Sequence, residues 1–204
     1  MKDIRGYYFV TDSELSKKGS LSDVENAVAA GAKVVQYRNK TATSKRLYEE
    51  AFEIIRRCPN SVFIINDRVD IALAIDADGV HIGQEDIPYV FARKLLGSKK
   101  IIGVTVHSVE QAKEASKHGA NYVAVSPIYH TKTKHDAGHP VGIELLKKVK
   151  ENVTIPVIAI GGIDHSNARS VVEAGADGLC AISCVITSND VKAEVRKFQE
   201  LFKL

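Results

Sequence analysis

Short apolar runs punctuate the chain, and between them apolar positions recur with helical spacing. Residues 7–10, 33–38, 61–65, 79–82, 101–104, 122–125, 156–160 and 178–182 form runs too short for helices and rich in β-branched or aromatic residues. They predict eight buried strands. Helices are predicted over 23–30, opened by Ser22 and closed by Gly31, and over 45–57, capped by Ser44 with Leu47, Ala51, Ile54 and Ile55 on one face. Further helical patterns cover 69–77, 87–96, 109–117 behind Ser108, 142–151, 166–174 and 190–202. A small-residue device repeats before three strands: Ala-Gly-Ala before Lys33, Gly-Ala before Asn121, and Ala-Gly-Ala before Asp177. The glycine stops a helix and the alanine lets the chain turn tightly into the next strand. This alternation predicts an α/β fold, a single (β/α)8 TIM barrel domain over 1–204, with an open doubly wound sheet as the alternative.

The bulk numbers narrow the class. The chain has 204 residues, 45% hydrophobic and 26% charged, with a net charge of +3. That charge is too small to argue for nucleic acid or a membrane surface, and leaves a small-molecule partner. The cysteines Cys58, Cys180 and Cys184 are odd in number and lack Cys-x-x-Cys spacing, so they read as buried free thiols in a reducing cytosol. Residues 1–20 lack a charged start followed by an apolar segment, and no apolar run reaches 18 residues, so a cytoplasmic protein without signal peptide or membrane span is expected. Assembly into a homo-oligomer is left open.

In a barrel the chemistry sits where strands end. Asn66 and Asp67 follow the strand at 61–65, and Asp86 stands four residues beyond the strand at 79–82. Two carboxylates converging at the C-terminal end of a parallel sheet suit a divalent cation, since Mg2+ takes one or two carboxylates plus substrate phosphates. The competing reading makes Asp67 a helix cap and places Asp86 in a turn. Gln36, Arg38 and Lys40 alternate, which puts them on the inward face, with Val35 and Tyr37 outward against helices. Two cations inside a barrel call for an anionic ligand, or for pairing of Arg38 with Asp67 or Asp86. Gly161-Gly162 and Ile182-Ser183 end the strands at 156–160 and 178–182, where barrels commonly hold a phosphate; a tight turn is the plainer account of the glycines. The long connection 127–141 offers Thr131, Thr133 and Lys134 as donors, with Gly138 as hinge, and reads as a lid. His130, His135 and His139 match no common metal spacing and read as solvated. His81 reads as a satisfied core histidine, and His107 as a residue near the site mouth.

These residues together resemble thiamine phosphate synthase, and the similarity runs nearly end to end. It rests on Val35-Gln-Tyr-Arg-Asn-Lys40, the Asn66-Asp67 segment, Gly79-Val-His-Ile-Gly-Gln-Glu-Asp86, Gly103-Val-Thr-Val-His107, Pro127-Ile-Tyr-His-Thr-Lys-Thr-Lys134 and Ile160-Gly-Gly-Ile163. The resemblance implies a (β/α)8 barrel and a transferase of thiamine biosynthesis. It would join 4-amino-2-methyl-5-(diphosphooxymethyl)pyrimidine to a thiazole phosphate, carboxylated or not, and release diphosphate. It assigns Mg2+ to Asp67 and Asp86. It sends the pyrimidine diphosphate to Gln36, Arg38, Lys40, Asn66, Thr105 and Lys134, and the thiazole phosphate to Thr131, Thr133, Gly162, Ile182 and Ser183. Arg38, Lys40 and Lys134 would carry the catalysis by stabilising charge on the leaving group in a dissociative step through a pyrimidine cation.

Departures from the family pattern are small. Asn39 stands where Glu is common and points outward, Thr105 keeps the hydroxyl of a common Ser, and His130 replaces a common Pro. The related thiazole tautomerases carry a histidine at the position of Pro127 and lose much of the diphosphate set. A tautomerase or a non-catalytic thiamine-ligand sensor remains as the alternative class.

Overall fold

The computed structural model describes residues 3–133 and 138–203. Eight strands, all parallel, close into a barrel in sequence order. They are β1 (Gly6–Val10), β2 (Val34–Tyr37), β3 (Val62–Asn66), β4 (Gly79–Ile82), β5 (Ile101–Val106), β6 (Tyr122–Val125), β7 (Val157–Ile160) and β8 (Gly178–Cys180). The helices between and after them are α1 (Ser20–Ala29), α2 (Ser44–Ile55), α3 (Val69–Ala74), α4 (Tyr89–Leu96), α5 (Val109–Lys117), α6 (Gly142–Asn152), α7 (Ala168–Glu173), α8 (Ser183–Ile186) and α9 (Val191–Glu200). The closed barrel excludes the open doubly wound sheet. No helix among the described residues is long and apolar enough to cross a membrane.

Strand alternation divides the apolar residues into two cores. Tyr8, Val10, Val34, Val62, Ile64, Tyr122, Ile158 and Cys180 fill the barrel. Their neighbours of opposite parity, such as Phe9, Val35, Tyr37, Phe63 and Val80, pack outward with the helices. The outer core is the larger because the helices add their own apolar faces to it, among them Val24, Leu47, Ile54, Leu146 and Phe198.

The small-residue device does more than stop helices. Gly31, Gly119 and Gly175 hold φ of +86°, +87° and +94°, as an αL stop requires. After two of these stops, and also at Asp78 behind Asp76-Ala77, the polar residue entering the next strand reaches back to a backbone N–H of the preceding one. Asp78 accepts from Phe63 N at 2.8 Å, Asn121 from Ile102 N at 2.8 Å, and Asp177 from Val157 N at 2.8 Å. These bonds staple β4, β6 and β8 to their neighbours at the bottom of the barrel.

Some expected boundaries move. α2 starts at Ser44 itself, and Thr43 is the cap, its side chain accepting from Arg46 N. α7 starts at Ala168 rather than 166, because Asp164 takes Ser166 N and Oγ while Asn167 takes Asp164 N, forming a turn first. β8 stops at Cys180 instead of 182, and a four-residue helix, α8, follows at once. Cys184 lies in that helix and is half-buried, whereas Cys58 and Cys180 are buried as expected; all three are free.

Candidate active site

A cavity of about 460 Å³ opens at the C-terminal end of the barrel. Its volume lies in the range of small-molecule sites. Gln36, Arg38, Lys40, Asn66, Asp67, Asp86 and Thr105 line it from the β2–β5 side. Thr131, Thr133, Gly162, Ile182 and Ser183 line it from the opposite side. Lys134 and His135 lie outside the described residues. His107 also borders the cavity and is exposed, while His130 and His139 are exposed on the loop.

β2 ends at Tyr37, so Arg38 and Lys40 enter the cavity from the loop that continues its inward face. Asn39 points out, as alternation requires, and its amide donates to Glu50 on α2 at 3.2 Å. Arg38 pairs with neither of the acids expected for it. Its Nη1 donates to Asp12 Oδ2 at 2.6 Å, and Asp12, 2% exposed at the end of β1, also accepts from Glu14 N and Leu15 N. Lys40 forms an ion pair with Asp67.

Asp67 does not cap a helix. The cap position of α3 is Arg68, without a side-chain bond. Asp67 sits at φ +60°, a left-handed backbone that Asp tolerates better than most residues, fixed by Asp67 N donating to His81 O at 2.8 Å. That twist brings its carboxylate beside Asp86, whose Oδ2 accepts Gly83 N at 2.6 Å in a turn. Burial raises the Asp86 carboxyl above its ordinary value, and the adjacent Asp67 carboxylate adds to the rise against the Gly83 N–H and Lys40. Two oxygen-donor side chains pressed together at a half-buried rim fit a hard divalent cation, which would relieve that repulsion. No cluster of three or more metal-ligating side chains exists among the described residues, so such an ion would draw its other ligands from water and substrate.

Gln36 Nε2 donates to Asn66 Oδ1 at 2.8 Å. This leaves the Gln36 side-chain carbonyl and the Asn66 amide NH2 as an acceptor beside a donor on one wall of the cavity.

The opposite wall is built from backbone. Gly161 and Gly162 hold φ of +100° and +64°. A Cβ at Gly161 would lie 2.5 Å from Pro127 Cβ, and one at Gly162 would lie 2.5 Å from His130 O. The bare glycines let the 127–130 segment close over the end of β7, where Ile128 N and Tyr129 N donate to Ile160 O and Gly161 O. The N–H groups of Gly162, Ile163 and Ser183 have no acceptor within the described protein. Three free donors beside Thr131 and Thr133 form a cradle for an oxyanion.

Sequence reasoning missed Asp12, although Thr11-Asp12 follows a strand end as Asn66-Asp67 does. It also missed Tyr8 and Tyr122, which look like ordinary core aromatics in the sequence but line the cavity floor and pair through their hydroxyls.

A family model for thiamine monophosphate synthase matches residues 7–185. The thiamine-phosphate synthase of Methanosarcina mazei is 52% identical over 204 residues, covering 100% of this chain and 85% of its own. That of Chloroflexus aurantiacus is 45% identical over 197 residues, covering 95% of this chain and 91% of its own. Among solved structures, thiamine phosphate pyrophosphorylase from Pyrococcus furiosus superposes with a TM-score of 0.89 at 38% identity, covering 96% of this chain and 94% of that one. A 3-hexulose-6-phosphate synthase structure superposes at 0.71 with 16% identity and shares the fold alone. Matched along nearly its whole length by sequence and by shape, the chain belongs to the thiamine monophosphate synthase family and is a transferase.

Proposed function

We propose that the protein condenses 4-amino-2-methyl-5-(diphosphooxymethyl)pyrimidine with 4-methyl-5-(2-phosphooxyethyl)thiazole or its carboxylated form, releasing diphosphate, with Mg2+ held by Asp67 and Asp86. The observation that carries this reading is the division of one cavity into two unlike anion sites. One wall offers two carboxylates with Arg38 and Lys40, suited to a metal-bound diphosphate. The other offers uncharged backbone donors at Gly162, Ile163 and Ser183, suited to a phosphomonoester.

On this reading Gln36 and Asn66 recognise the polar edge of the pyrimidine. Arg38 and Lys40 face the diphosphate and, joined by Lys134 as the sequence resemblance implies, stabilise the charge that grows as the C–O bond breaks. Bound Mg2+ would supply further charge neutralisation to the leaving group. Thr131, Thr133, Gly162, Ile182 and Ser183 hold the thiazole phosphate so that its ring nitrogen meets the exocyclic carbon. Holding both halves in one cavity converts an encounter in water into a step within one complex. The chemistry needs no general base, because the thiazole nitrogen attacks through its own lone pair.

The test is to mix both substrates with the protein and Mg2+ and follow thiamine phosphate and diphosphate. Equimolar formation of both, lost on chelation, is expected. Binding of both substrates without turnover would overturn the reading.

A further inference from the structure

Four side chains from four strands form a hydrogen-bonded line across the cavity floor. Tyr8 Oη lies 2.7 Å from Tyr122 Oη, Tyr122 Oη lies 2.9 Å from His81 Nδ1, and His81 Nε2 lies 2.8 Å from Thr105 Oγ1. The His81 ring also stacks on Tyr122, with centroids 5.5 Å apart at 27°. The fold makes room for this line. Gly103 has no side chain, and a Cβ there would lie 1.9 Å from Tyr122 Cζ.

The line has one satisfactory polarity. Tyr8 is 2% exposed and Tyr122 fully buried, and burial raises both phenols well above their ordinary values, so both keep their protons. Among the described residues the Tyr8 hydroxyl has one partner, Tyr122. If His81 donated from Nδ1 to Tyr122, one tyrosine proton would be left without an acceptor among the described residues: that of Tyr8 if Tyr122 donates to it, or that of Tyr122 if it accepts from both. A buried polar group left unpaired is disfavoured. With the opposite polarity every proton is used. Tyr8 donates to Tyr122, and Tyr122 donates to Nδ1 of a neutral His81. Nε2–H then donates to Thr105, because the bond at one ring nitrogen fixes the proton on the other. Thr105 Oγ1 is thereby an acceptor from within, and its own hydroxyl proton is turned toward the cavity.

We propose that His81, backed by Tyr122 and Tyr8, is a positioning residue that makes the Thr105 hydroxyl a dedicated hydrogen-bond donor to an acceptor atom of the pyrimidine diphosphate. The ligand in this statement rests on the function proposed above; the polarity of the line does not. A hydroxyl free to rotate would spend part of its time as an acceptor and would meet an anionic ligand with a lone pair. The line removes that option before the ligand arrives, as outer hydrogen bonds orient the ligands of a metal.

Two measurements on the intact enzyme test the proposal. Nitrogen-15 NMR of the free protein at neutral pH, with the His81 signals identified by their loss in His81→Gln, should show the neutral tautomer protonated on Nε2. A ring protonated on Nδ1, or on both nitrogens, would overturn the polarity. In kinetics, His81→Leu and Thr105→Val should each raise the KM for the pyrimidine diphosphate about tenfold and leave that for the thiazole phosphate within twofold. The double variant should be no worse than Thr105→Val alone, because His81 acts through Thr105. His81→Gln, which can still donate toward Thr105, and Thr105→Ser should restore most of the affinity. Independent effects that multiply to about a hundredfold would overturn the positioning role, as would a His81→Gln variant as impaired as His81→Leu. If these substrates give no turnover at all, the function fails while the NMR result still decides the polarity.

Discussion

Arg38 and Asp12 are locked together across the β1–β2 rim, Nη1 to Oδ2 at 2.6 Å, with 16% and 3% of their side chains exposed. Asp12 thus spans two tasks, aiming a cavity cation and closing the first strand-end turn through Glu14 N and Leu15 N. Removing one partner of a buried pair leaves the other uncompensated, which typically costs about 3 kcal/mol. Asp12→Ala should therefore lower the urea midpoint by an amount in that range and weaken binding of the pyrimidine diphosphate, because Arg38 is no longer held. Unchanged stability would show that the pair is solvated rather than structural.

The acids at the rim lead to the opposite sign for stability. Burial and the Asp67 carboxylate both disfavour the charged form of Asp86. Asp86→Asn keeps an acceptor for Gly83 N and removes the repulsion, so its melting temperature should equal or exceed that of the parent. Its Mg2+-dependent turnover should fall at least a hundredfold. Calorimetric titration of Mg2+ in the presence of diphosphate should show binding to the parent and none to Asp67→Ala or Asp86→Asn. Full binding by either variant would remove these acids as the metal site.

Gly162 has no space for a side chain. Its φ of +64° and the 2.5 Å approach to His130 O mean that Gly162→Ala must displace the 127–130 segment and not merely narrow the phosphate cradle. Left-handed strain in a non-glycine residue is on the order of 1 kcal/mol, with the displaced contact adding to it. Thermal denaturation should register a loss of about 2 kcal/mol or more, and the KM for the thiazole phosphate should rise well beyond that for the pyrimidine diphosphate. An equal rise for both substrates would place the phosphate elsewhere.

The thiols set an alkaline limit. Burial pushes the Cys58 thiol up to about 12 and the Cys184 thiol up to about 11, and Cys180 rises further. An unfolded chain ionises its thiols near 8.5, so above that pH the unfolded state sheds protons that the folded state retains. The stability is fully present below about pH 8.5 and is lost as pH rises toward the folded values. One buried thiol accounts for about 1 kcal/mol between pH 8.5 and 9.5. Urea midpoints measured at those two pH values should fall in the parent and fall less in Cys58→Ala. The tyrosines Tyr7, Tyr8 and Tyr122 shift in the same sense but enter nearer pH 10.

What the chain disclosed in advance was its periodicity. Alternation put Gln36, Arg38 and Lys40 on one face and Asn39 on the other because a buried strand has no third option. Local rules also located Ser108 as the cap of α5, where its hydroxyl takes Gln111 N at 3.2 Å. The same rules failed at Ser166, since Asp164 and Asn167 compete for that turn, and at α8, whose four residues are too few to show a period. Asp12 and Tyr8 were hidden for a different reason. Their partners, Arg38 and Tyr122, are 26 and 114 residues away; pairing of β1 with β2 brings up the first, and only barrel closure brings up the second. The left-handed twist at Asp67, which brings its carboxylate beside that of Asp86, leaves no trace in residue type beyond the tolerance of Asp for it.

Barrel closure also dictates when the chain can finish folding. β1 meets β8 through only two residue pairs, Gly6 with Gly178 and Tyr7 with Leu179, and these lie about 170 residues apart in sequence. During synthesis at about 5–20 residues per second, β1 therefore waits on the order of 10 seconds before its last neighbour leaves the ribosome. Throughout that interval the growing sheet has two bare edges, β1 and the newest strand, each able to pair with a foreign strand. No surface charge protects the interior edge of β1, whose sequence Gly-Tyr-Tyr-Phe-Val is wholly apolar or aromatic. A nascent chain halted before β8 should be aggregation-prone in a way the completed ring, which has no edge, is not.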